Sequence, residues 1–167
     1  MVKCIVEINS STVGSTGRIM FMIAETARKH GFTVYTCSAV HGNEKRIESK
    51  NHIYIGSKLD KKIHLLLAKK TGYNGCFSHF TTAQFLKKID KLQPDLIHFH
   101  NLHNCYINLP MLFDYVKKKN IPVVWTLHDC WAYTGHCPYY DFVHCNKWMT
   151  GCYDCPQTAK YLYSDVD

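Results

Sequence analysis

The chain has 167 residues, 46% hydrophobic and 20% charged, enough apolar material for one domain with a sizeable core and unlike a disordered or collagen-like chain. No run approaches the roughly 18 to 20 uncharged apolar residues that span a bilayer, and Glu7 interrupts the N-terminal stretch where a secretory signal would need its apolar region. Twenty Lys and Arg against 13 Asp and Glu give a net +7, a surface drawn to phosphate, but Arg18, Arg28 and Arg46 lie apart without interleaved aromatics, which speaks against nucleic acid.

Lys3 to Ile8 reads as a short strand, followed by turn-forming residues from Asn9 to Gly17. Ile19, Met20, Ile23, Ala24 and Ala27 recur at helical spacing, and His30-Gly31 suits a helix stop. Phe32 to Ser38 is strand-like, His52 to Ile55 a shorter strand, and Leu59 to Lys70 and Thr81 to Leu92 are helices with lysines on their wet faces. After Pro94, Asp95 to His100 reads as a strand, and Asn108 to Lys119 as a helix that tolerates Pro110 in its first turn. Ile121 to Leu127 is apolar throughout, as a strand buried on both faces should be. This alternation predicts an α/β fold, a parallel sheet covered by helices, over residues 1–128. Residues 129–157 then carry five cysteines, two tryptophans and four tyrosines without a period, the texture of an irregular loop that is functional or held by something other than a core. The last residues, Tyr161 to Asp167, show no closing element.

Three constellations could carry chemistry. Gly14-Ser15-Thr16-Gly17-Arg18 lies between a strand and a helix, where free N–H groups favour a phosphate. It is neither a dinucleotide fingerprint, since Met20 stands at the third glycine's place, nor a Walker loop. A plain βα turn is the other reading. His98-Phe99-His100-Asn101-Leu102-His103 closes one strand and His128-Asp129 another, where ligands of open α/β sheets bind. His98 and His100 share a face; the adjacent His128 and Asp129 suit hydrogen bonding or proton transfer, against the alternative of hydrogen-bonded core histidines. Cys137-x7-Cys145-x6-Cys152-x2-Cys155 offers four ligands to a closed, structural zinc, with Cys130 and His136 as alternative donors. Reduced thiols and an iron–sulfur cluster compete; a thioredoxin-like role is disfavoured by the position of the CxxC. Separately, Lys58 to Lys70 mixes lysines with apolar residues, either an interfacial helix on anionic lipid or an ordinary surface helix.

Val123 to Cys137 (VVWTLHDCWAYTGHC), Cys145 to Pro156 (CNKWMTGCYDCP), Pro94 to Asn101 (PDLIHFHN) and the Gly14 to Arg18 stretch together resemble bacterial family 4 glycosyltransferases that assemble capsular, exopolysaccharide or O-antigen chains. The resemblance implies an incomplete N-terminal, Rossmann-like domain of a GT-B fold, residues 1–167, without the C-terminal nucleotide-sugar-binding domain. It implies retaining transfer from a nucleotide-sugar donor to a lipid-linked or oligosaccharide acceptor. Gly14, Ser15, Thr16, Gly17 and Arg18 would approach the donor diphosphate, His128 the reaction centre, and His100, Asn101 and Asp129 the acceptor cleft. No catalytic metal is expected; a zinc on Cys137, Cys145, Cys152 and Cys155 would staple the loop. The expected place is the cytoplasm, in peripheral contact with the inner face of the plasma membrane, and the chain alone is expected to be inactive. A non-catalytic, zinc-stapled binding module or truncated interaction protein is the alternative.

Overall fold

A computed structural model describes residues 3–40 and 46–157; the segment 161–167 lies outside the described residues. Five parallel strands, β1 (Cys4–Asn9), β2 (Thr33–Ala39), β3 (His52–Ile55), β4 (Leu96–Phe99) and β5 (Val123–Trp125), lie in the order β3-β2-β1-β4-β5. They alternate with helices α1 (Gly14–Lys29), α2 (Lys58–Thr71), α3 (His79–Leu92) and α4 (Leu109–Lys119). The α/β fold expected from the alternation is present.

Strand β1 is central and buried on both faces. Val6 and Ile8 join Ile97 and Phe99 of β4, with Phe85 and Ile89 of α3 and Leu112 of α4 completing the core. Each helix contributes its apolar stripe at the spacing that the sequence shows. Asn108 caps α4 by accepting from the Met111 amide at 3.0 Å, and Pro110 falls in the first turn, where no intrahelical N–H is lost.

Three expectations change. Residues Gly14 to Arg18 are the first turns of α1 rather than a loop, and the crossing from β1 is the short stretch Ser10 to Val13. Gly17 sits where α1 runs against that crossing: a Cβ there would lie 2.6 Å from the Thr12 carbonyl carbon. The strand expected over Ile121 to Leu127 is only three residues long, at the sheet edge, with Val123 and Val124 exposed. An apolar run of this kind fixes the strand but not how many faces are covered. Helix α2 buries only His64 and Ala68, and its stripe Leu59, Ile63 and Leu66 is 68%, 50% and 54% exposed.

Residues 129–157 form a four-residue helix α5 (Trp131–Thr134), two single 3-10 turns at Tyr140–Val143 and Lys147–Met149, and connecting bends. Trp131 is buried in the main core and anchors the segment. Tyr133, Tyr140 and Trp148 meet in a small aromatic group, with ring centroids 5.2 to 6.1 Å apart. Part of what holds this stretch is therefore aromatic packing.

Candidate functional site

Because β1, β4 and β5 are parallel, their carboxyl ends share one rim of the sheet. Glu7, next to the end of β1, pairs in register with His98 of β4 and is fully buried. Its Oε2 accepts from His98 Nδ1 at 3.0 Å and from His100 Nε2 at 2.8 Å. Burial alone would raise the Glu7 carboxyl, but the bonds from His100 and His98 outweigh it and hold it below the usual value. His98 Nε2 meets Thr126 Oγ1 at 2.8 Å, and His100 Nδ1 meets His128 Nε2 at 2.9 Å with the two rings stacked. Burial and then the neighbouring His100 lower the pKa of His128, so its ring is neutral near pH 7.

The structure joins His100 to His128 and separates His128 from Asp129. Asp129 Oδ2 accepts from His103 Nε2 at 2.9 Å, and its Oδ1 from the Trp131 amide at 3.0 Å. Burial pushes the Asp129 carboxyl up, while those two bonds and the His103 charge pull it below the usual range. His128 follows the end of β5 and Asp129 stands in the bend that leads into α5, and the two adjacent side chains bond different partners, His100 and His103. His98 is a core histidine with both ring nitrogens bonded, as one reading held.

His100, Asn101, His103, His128 and Asp129 line a cleft with Trp125 and Trp131. At about 10 Å³ it holds roughly one water, so it is a floor and not a sugar-sized enclosure. Asn9 ties this floor to α1: its Oδ1 accepts from the Asn101 amide at 3.2 Å and its Nδ2 reaches Thr16 Oγ1 at 3.3 Å. Gly14, Ser15 and Arg18 at the start of α1 are exposed, and no acidic residue occupies that first turn. None of the five cysteines of the 129–157 segment is in a disulfide. Cys137 is buried, and its thiol is pushed up to about 11 by burial and then by Cys155, Cys152, Cys145 and Cys130, which share its neighbourhood. Among the described residues, only Glu7, His98 and His100 bring three possible metal-ligand atoms within 4.8 Å of one another; no three of the cysteine sulfurs do.

Glu7, Asn9 and Thr126 were not singled out from the sequence as site residues. Glu7 had a usable signal, as the single acid in a strand otherwise free of charge. Such a residue, buried by the strand's central place, needs a donor partner.

An open parallel sheet with helices on its faces defines a Rossmann-like domain, and the polar cleft lies beyond the ends of β4 and β5. The chain belongs to Glycosyltransferase Family 4, whose pattern matches residues 16–148. A stretch of 79 residues is 41% identical to the protein named "Putative colanic acid biosynthesis glycosyl transferase WcaC" of Escherichia coli (strain K12). That similarity takes in 44% of this chain and 19% of the relative, so the chain spans well under two thirds of the relative's length.

Proposed function

We propose that this chain forms the acceptor-side part of a retaining glycosyltransferase of surface-polysaccharide synthesis, with a nucleotide-sugar donor. The observation that carries the reading is the His100–His128 floor lying on the same rim as the start of α1, in a member of this family. In this reading the first turn of α1, Gly14 to Arg18, faces the donor diphosphate with its free N–H groups and positive helix end. His128 stands at the reaction centre, and His100, Asn101 and Asp129 face the acceptor, a lipid-linked or free oligosaccharide. A floor without a second wall excludes little water, so the 167-residue chain alone is proposed to transfer no sugar. The test is transfer by the full-length protein from labelled UDP- and GDP-sugars to lipid-linked oligosaccharide, read by mass. Donor binding without turnover across the panel would favour the non-catalytic binding module instead.

Two finer features belong to the same reading. The soft thiol set of Cys137, Cys145, Cys152 and Cys155 suits a structural zinc that would draw the sulfurs together and staple a segment with few buried residues. Protein purified without chelator is expected to carry about one equivalent of zinc. Less than about a tenth of an equivalent, with all thiols reduced, would exclude it. On the surface, α2 presents Leu59, Ile63 and Leu66 beside Lys58, Lys62 and Lys69, the composition of a helix that rests on anionic lipid from the cytoplasmic side. No helix among the described residues is long and apolar enough to cross a membrane. Sedimentation with vesicles containing phosphatidylglycerol is expected for the wild type, and to fall several-fold in Leu59→Ser/Leu66→Ser. Equal sedimentation of both would remove the lipid contact.

A further inference from the structure

The buried carboxylate of Glu7 has no place in the proposed chemistry, lies behind the cleft rather than in it, and yet holds one of its histidines, His100, together with the core histidine His98. A carboxylate held below its usual pKa is ionised at neutral pH and can only accept hydrogen bonds. Both contacts to its Oε2 must therefore come from ring N–H groups, on His98 Nδ1 and on His100 Nε2. In their neutral form the two rings carry one proton each, which makes the remaining nitrogens acceptors. His98 Nε2 then accepts from the Thr126 hydroxyl at 2.8 Å, closing that branch. His100 Nδ1 is likewise a bare lone pair, and the 2.9 Å contact to His128 Nε2 is a hydrogen bond only if His128 donates. With its proton on Nε2, His128 is left with an unprotonated Nδ1. That nitrogen makes no hydrogen bond to the described residues, and the ring lines the cleft.

We infer that Glu7 is a positioning residue: through a one-way chain of donors, His128 to His100 to Glu7, it sets the tautomer of His128 and so presents a hydrogen-bond acceptor, not a donor, to the ligand. A ligand that offers a hydroxyl proton at this point is matched, and one that offers only a lone pair is opposed. The inference deepens the reading of the cleft as a sugar site, because sugar hydroxyls are such donors, but the tautomers themselves do not depend on it. Glu7 touches no ligand and acts only through His100. Direct ordering of this kind is what a third group does for a histidine in other hydrogen-bonded sites.

The experiment is imidazole nitrogen NMR on the uniformly 15N-labelled protein at pH 7.5, where neutral rings report which nitrogen carries the proton. Wild-type protein is expected to show the Nε2–H form for both His100 and His128 and the Nδ1–H form for His98. Glu7→Met removes the acceptor while keeping most of the side-chain volume. It is expected to release His100 into mixed forms and raise the Nδ1–H form of His128 at least several-fold. A wild-type His128 with its proton on Nδ1 would overturn the inference, and that measurement needs no variant to fold. Unchanged tautomers in a folded Glu7→Met protein would overturn it too. So would a metal bound in stoichiometric amount by wild type and lost in Glu7→Met, since Glu7, His98 and His100 would then be ligands. Absence of sugar transfer would count against the function and leave the tautomers standing, so the two failures are distinguishable.

Discussion

His128→Ala in the full-length protein is expected to lower the rate of sugar transfer about 10²- to 10⁴-fold, the range typical for losing a positioned proton-handling or hydrogen-bonding group. The ring sits where β5 ends, is fixed by the 2.9 Å contact to His100, and lines the cleft. It is only partly buried, so the same change should leave the melting temperature within a few degrees. The donor KM should move little, because the first turn of α1 is untouched, and the loss should fall on kcat. Transfer within about threefold of wild type would place the reaction centre elsewhere.

Gly17→Ala is expected to lower stability through a single added methyl group that meets backbone. The new Cβ would lie 2.6 Å from the carbonyl carbon and 2.7 Å from the carbonyl oxygen of Thr12. Both are backbone atoms and cannot swing aside as a side chain would. Either the start of α1 or the crossing from β1 must move, at a cost of about 1–3 kcal/mol, as for overpacked positions. For a chain of this size each kcal/mol lowers the melting temperature by roughly 2–4 °C. Gly14→Ala is the informative control: its Cβ meets nothing within 4 Å, but its φ of +75° is a left-handed conformation. That change should cost only about 1–2 kcal/mol of backbone strain and move no neighbour. The two variants should therefore differ in donor affinity more than in stability, with Gly17→Ala weaker because it shifts the helix start. A Gly17→Ala protein with the wild-type melting curve would show that the close approach of Thr12 does not exist.

The sheet and its four long helices were legible because their signals are local. The apolar stripe of α1, the Pro110 at the start of α4 and the β-rich runs of β1, β2 and β4 each lie within one window. What failed was information held between windows. Val123 and Val124 look like a buried strand by composition, and only the absence of a neighbour on that side of the described sheet exposes them. The stripe of α2 has the spacing of a core face, but spacing does not say what lies opposite.

The site divides in the same way. His100, Asn101 and His128 were found because a parallel sheet puts every strand's carboxyl end on one rim. Glu7 was passed over as an interruption of an apolar run, because its meaning lies in His98 and His100, on a strand far along the chain. His128 and Asp129 looked like a pair because they are adjacent, whereas each finds its partner, His100 or His103, on the segment that follows β4. For the cysteines, counting intervals gave the donor set and could not give the distances between sulfurs.

The contact between Glu7 and His100 also fixes an order of events during synthesis. Ninety-three residues separate the two, so Glu7 leaves the ribosome long before its partners exist. At about 5–20 residues per second, the wait is roughly 5–20 s. Until then, closing β1 into a core would trap a carboxylate with nothing to donate to it, which costs several kcal/mol. The β1, β2 and β3 half therefore gains nothing from early collapse around that strand. Burial of that strand is favourable only once His98 and His100 have emerged to donate to the carboxylate.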